Sequence, residues 1–194
     1  MPATSASLLE RVRASPSADS WRHLVGIYDP LVRGWLRRHV LPKQDVDDVT
    51  QEVMAVVVRR LAEFQHNGRV GAFRSWLKSI AVNCLRDHWR RGKNLPRATG
   101  ESGFQQILAQ LADPGSELSR LWDLDHDRHV ARQLLQLLRN EFEPKTWKAF
   151  QRTALEGASA SEVAAELAMT TNAVFIARSR VLARLRQEAA ELID

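Results

Sequence analysis

One cysteine, Cys84, stands in the 194 residues, so no intrachain disulfide can form. No run of about 18 apolar residues occurs, which excludes a membrane-spanning helix. Met1–Ser17 lacks the apolar stretch that a secretory signal needs, so no leader is expected. Strand signals are also missing, because no segment of weight alternates with a period of two. There is no internal repeat. There is no P-loop, no dinucleotide glycine fingerprint, no Gly-x-Ser-x-Gly and no His-Glu-x-x-His. These absences remove the common nucleotide-binding and hydrolytic chemistries. The expectation is an all-α, cytoplasmic protein without membrane insertion, which is not an enzyme and holds no cofactor or metal.

What is present is charge, unevenly spread. The net charge is +5 and the pI about 10. Residues 1–97 carry 17 Lys+Arg against 9 Asp+Glu, a net +8; residues 98–144 carry 4 against 8, a net −4; residues 145–194 carry 7 against 6, a net +1. A basic block, an acidic spacer and a third block predict two modules on a linker, with an anionic partner for the first.

Gly71 to Arg91 reads as one helix of about five to six turns. Phe73, Trp76, Leu77, Ile80, Ala81, Cys84, Leu85 and His88 recur at i, i+3, i+4 and i+7 and form one apolar stripe. A second stripe carries Arg74, Lys78, Arg86 and Arg90, beside Ser75, Ser79 and Asn83. One face docks on a core; the other offers cations and short hydrogen-bonding groups, which grip phosphates and touch base edges.

Two helices precede it. Asp19 or Ser20 caps the first, Asp29-Pro30 marks a kink or restart, and Leu41-Pro42 ends it. Val46, Val49, Val53, Val57 and Leu61 line the second, with Asp48, Gln51 and Glu52 on its exposed side. Gln65 to Gly71 is a polar loop with two glycines. Residues 92–118 hold the densest Gly, Pro, Ser and Asp signals and read as linker, with Phe104–Leu111 a candidate short helix inside it. Near the end, Ser159 and Glu162 fit a capping box, and Thr170 caps a second helix whose buried stripe includes Val174, Ala177 and Val181. Two capped helices joined by so short a turn match a helix-turn-helix.

Asp123, Asp125, His126, Asp127 and His129 make an acid-and-imidazole cluster, but on a helix they split between two faces, which suits an acidic patch better than a metal centre. Cys84 and His88 are i, i+4 but fall on the apolar stripe, so they read as core.

Asp45-Val-Asp-Asp-Val-Thr-Gln-Glu-Val53 resembles the region 2.2 motif of bacterial sigma factors, with its Asp-x-x-Gln-Glu core. Phe73-Arg-Ser-Trp-Leu-Lys-Ser-Ile-Ala-Val-Asn-Cys-Leu-Arg-Asp-His-Trp-Arg-Arg91 resembles the region 2.3–2.4 motif. Residues 157–186 resemble the region 4.2 helix-turn-helix. Chain length points to the extracytoplasmic-function class, and the stretch Leu121–Val130 resembles a planctomycete-type subgroup.

The resemblance implies a flexible N-terminus over 1–17, sigma region 2 over 18–92, a flexible linker over 93–119 and sigma region 4 over 120–194. It implies a dissociable subunit of core RNA polymerase that directs initiation at promoter DNA. Asp48, Gln51 and Glu52 match positions that bind the β′ clamp helices; region 4 implies a contact with the β flap. Gln65, His66, Asn67 and Arg69 match the loop that captures a flipped −10 base. Ser75, Ser79, Asn83, Arg86, Arg90 and Arg91 are the remaining −10 candidates. Thr171, Asn172, Phe175, Ile176, Ser179, Arg180 and Arg184 are the −35 candidates. An anti-sigma factor is a further partner the resemblance allows. Ala168 stands where the family usually has glycine, and Phe175 where it often has lysine, which suggests apolar contact with a thymine methyl. Two rival readings remain: a helix-turn-helix regulator that acts without polymerase, and a metal enzyme built on the Asp123–His129 cluster.

Overall fold

The computed structural model describes residues 7–14, 17–65, 69–91, 100–190 and 192–193. Among these every regular element is helical and no strand occurs. The chain divides into two compact units, one mainly over Leu8–Val130 and the other mainly over Ala131–Ala190.

The first unit holds α1 (Leu8–Ala14), α2 (Ala18–His39), α3 (Lys43–Arg60), α4 (Ala72–Arg90), α5 (Gly100–Ala112) and the first half of α6 (Glu117–Leu138). α1 falls inside the stretch expected to be a flexible N-terminus. It is ordered because Leu8, Leu9 and Val12 are all buried, and the helix packs on α2. α2 is capped by Ser17, whose hydroxyl accepts from the Ser20 amide at 3.1 Å, rather than by Asp19 or Ser20.

Pro30 does not restart α2. Leu24, Ile27, Tyr28, Leu31, Val32, Trp35 and Leu36 form one buried face through it. The carbonyl that loses its partner to Pro30 is that of Gly26, an exposed residue whose missing Cβ leaves open space.

α3 buries Val46, Val49, Val53 and Val57, so the packed stripe outweighs the low helix preference of its valine run. Thr50 is fully buried with them.

The expected linker 93–119 is helical from Gly100 onward; residues 93–99 lie outside the described residues. Phe104, Leu108 and Leu111 recur at i, i+4 and i+7, are buried, and dock α5 on α4. Asp113-Pro114-Gly115 then turns the chain, with the Gly115 amide donating to the Asp113 carboxylate at 2.9 Å.

The second unit ends in three packed helices: α7 (Pro144–Phe150), which runs into a π-helical turn over Gln151–Leu155, α8 (Ala160–Leu167) and α9 (Thr171–Ala189). Ala149, Val163, Ala164, Leu167, Val174 and Ala177 form its core; the alanines let the backbones approach. The Ser159–Glu162 capping box is closed in both directions, and Thr170 accepts from the Ala173 amide at 3.1 Å.

Between α8 and α9, Ala168 adopts φ 50, ψ 54, the left-handed conformation that lets the helix pair turn. A side chain there costs about 1–2 kcal/mol, while glycine adds about 0.5–1 kcal/mol of unfolded-state entropy. Ala168→Gly is therefore expected to stabilise the second unit by roughly 0.5–1 kcal/mol, read as a higher melting temperature by circular dichroism. A lower one would contradict the strain.

Candidate nucleic-acid interface

α4 keeps the apolar stripe that its periodicity predicts. Phe73, Leu77, Ile80, Ala81, Cys84, Leu85 and His88 are buried. Burial, with Glu52 and Asp87 nearby, pushes the Cys84 thiol up to about 11, so it is a neutral core group. The ring of His88 is interior too, 4.0 Å from the Asp45 carboxylate of α3. Trp76 is half-buried, with its ring 5.1 Å from Phe64 and 5.4 Å from Phe73, which makes it a post between the loop and the helix.

Ser75, Ser79, Asn83, Arg86 and Arg90 are exposed on the opposite side. The Ser79 hydroxyl donates back to the Trp76 carbonyl at 2.7 Å, leaving its lone pairs outward. Arg86 donates to the Asn83 side-chain oxygen at 3.3 Å. Arg90 pairs with Asp87 at the surface.

Gly71 starts the helix at φ 72, the left-handed conformation that favours glycine; a Cβ there would also lie 2.5 Å from the Arg74 guanidinium and shift that side chain. Gln65, Arg69 and Val70 line one depression with Ser75 and Trp76. His66 and Asn67 lie outside the described residues. Asn83, Arg86 and Arg90 line another depression farther along α4.

Half of the expected cationic stripe is not on this surface. Arg74 binds Asp127 at 2.9 and 3.1 Å, with Asp123 at 3.6 Å; Lys78 donates to Ser119 at 2.6 Å and Asp123 at 3.1 Å. Both cations lie one helical step around from Ser75 and Ser79, where α6 packs. The acid-and-imidazole cluster is thus an ion-pair seam of the first unit. Asp125 takes Arg38 at 3.1 Å, and His129 meets the Ile27 carbonyl at 2.7 Å. Among the described residues no three His, Cys, Asp or Glu side chains converge as metal ligands.

His126, fully buried in that seam, has its Nδ1 3.0 Å from Asp127. Burial lowers its pKa and outweighs the opposing pull of Asp127. An unfolded histidine takes up its proton near pH 6.5, whereas folded His126 does so only at lower pH. In that window the unfolded chain binds more protons, so stability is lost as pH falls below about 6.5. The melting temperature should therefore drop between pH 7 and 5.5, and by less in His126→Gln. Equal drops would contradict this placement.

α3 presents Asp48 and Gln51 as exposed residues and Glu52 as a half-buried one. Glu52 holds Arg91 through two bonds of 2.7 and 2.8 Å. A residue expected at polymerase and a residue expected at DNA are therefore bound to each other.

On α9, Thr171, Asn172, Phe175, Ile176, Ser179 and Arg180 are exposed, with Phe175 at 54% and Ile176 at 50%. Arg184 is set apart: it binds Glu141 at 2.9 Å and pairs with Glu188. Arg178 is an exposed residue that sequence reasoning missed. It stands three residues after Phe175 and seven after Thr171, on their face of the helix, and that spacing was the available signal.

The sigma-70 region 2 family model matches residues 24–94, which begin within α2 and run past the end of α4. This segment is similar to a sigma-70 region 2. The chain is similar to the ECF RNA polymerase sigma factor BldN of Streptomyces coelicolor, 33% identical over 95 residues, which are 48% of this chain and 35% of that protein. It is also similar to the RNA polymerase sigma factor HrpL of Pseudomonas syringae pv. syringae, 30% identical over 79 residues, 41% of each chain. The chain thus spans 35% and 41% of the length of these two relatives. Within the matched segment, the Asp48–Glu52 patch and the Ser75–Arg90 face belong to α3 and α4, which pack on each other. No helix among the described residues is long and apolar enough to cross a membrane.

Proposed function

We propose that the chain is an RNA polymerase sigma factor of the extracytoplasmic-function type. Its role is binding rather than catalysis: core RNA polymerase on one surface and promoter DNA on others. The observation that carries this reading is the region 2 match over residues 24–94, together with the acidic patch on α3 and the polar, cationic face on α4.

In this reading Asp48, Gln51 and Glu52 meet the β′ clamp helices, an acidic and amide patch against a basic helical partner. The loop Gln65–Val70 closes around a flipped −10 base, and Ser75, Ser79, Asn83, Arg86 and Arg90 hold the strand beside it. The second unit acts as region 4: Thr171, Asn172, Phe175, Ile176, Ser179 and Arg180, joined by Arg178, meet the −35 element, and the unit also takes the β flap. Arg184, paired with two carboxylates, orients α9 rather than gripping phosphate. Two readers on one chain raise the effective concentration of the second site once the first is bound.

The test is competition for core polymerase. Gln51→Ala with Glu52→Ala should weaken core binding tenfold or more. The same change frees Arg91, so DNA affinity of the isolated chain should hold or rise. Unchanged core affinity would refute the assignment and favour a helix-turn-helix regulator that works without polymerase.

A further inference from the structure

α5 lies in the acidic stretch that reads as a linker, yet it is fixed on region 2. The Phe104 ring stacks on Trp89 of α4, centroids 4.9 Å apart and planes 10° from parallel. Phe104, Leu108 and Leu111 are 1%, 2% and 0% exposed, so the helix is anchored along its length. The stack also covers one face of Trp89.

The anchoring has a second effect. Gln105, next to Phe104, is exposed and lines the same groove as Asn83, Arg86 and Arg90. Among the described residues its side chain makes no hydrogen bond, and its exposed amide offers both a donor and an acceptor. The rim opposite carries Arg86, which suits a phosphate backbone, beside Arg90 paired with Asp87. A neutral amide adds nothing to that attraction. What it adds is a two-point donor–acceptor pair, the group that discriminates bases, adenine above all.

We propose that α5 is the second wall of the promoter-DNA groove, and that Gln105 contacts a base beside those met by Asn83 and Arg86. This rests on the sigma-factor reading. Recognition then extends from region 2 into the stretch that follows it, and one base preference of this chain is set outside the region 2 motifs.

The experiment uses the full chain bound to purified core polymerase. Promoter fragments that the wild-type chain transcribes are randomised one position at a time, and the transcribed pool is sequenced for wild type and Gln105→Ala. The variant should lose about fivefold or more of the preference at one position and keep the rest. Gln105 is exposed, so the variant's melting temperature should match wild type. Identical preferences at every position overturn the inference and leave the sigma-factor reading standing. A uniform loss of transcription with unchanged preferences also overturns it, because that is general affinity rather than base reading. No polymerase-dependent enrichment by the wild-type chain overturns both.

Discussion

Trp122→Ala is expected to destabilise the first unit by about 3–5 kcal/mol, the range for removing a large buried ring. Trp122 is 1% exposed and meets Trp35, itself 0% exposed, edge to face at 4.9 Å and 80°. Around the pair run the ion pairs of Arg74, Lys78 and Arg38 with Asp127, Asp123 and Asp125. The ring and the charges hold α6 on α2 and α4, so the cavity left by alanine also loosens the seam. The Arg38–Asp125 pair, with Arg38 exposed, contributes little. Urea unfolding followed by circular dichroism measures the effect. If Glu117–Val130 were a free tether, the same substitution would change stability by less than about 0.5 kcal/mol, as surface changes do.

The second large effect is on DNA. Arg86→Glu should weaken binding to promoter DNA by about tenfold or more and leave core-polymerase affinity intact. Arg86 is exposed on α4, and among the described residues it has no carboxylate partner. Arg90 has Asp87 and Arg91 has Glu52. Arg86 is therefore the cation of that groove most available to phosphate, and a carboxylate in its place adds repulsion. If it holds one phosphate of a duplex, the slope of log affinity against log salt should fall by about 0.9. Equal loss of DNA and polymerase binding would mean that the substitution damages the fold instead.

Much of this was legible in the sequence because it is local. The apolar stripe of α4, the Ser159–Glu162 capping box and the turn before Thr170 each need only a few neighbouring residues, and the structure has all three. What was not legible depends on partners far along the chain. Lys78 and Arg74 look like phosphate-binding cations until Asp123 and Asp127, 45 and 53 residues away, arrive on α6. The same residues, read alone, resemble an acidic spacer. The helical period of Phe104, Leu108 and Leu111 is legible as a short helix within the linker, but its docking on α4 is not, because Trp89 lies 15 residues back. Pro30 misled in the other direction: local geometry predicts a break, and a continuous buried face overrides it. Ala168 is the clearest gain from the structure. The sequence shows only a missing glycine, whereas the backbone shows that the left-handed turn is kept and strained.

We propose that this chain confers promoter choice on a polymerase. Transcription in vitro, with purified core polymerase and a genomic DNA library, is the decisive measurement. Discrete start sites should appear only when the chain is added, share a two-part upstream element, and vanish with Gln51→Ala/Glu52→Ala. Start sites identical with and without the chain, or DNA binding that never requires polymerase, would contradict it.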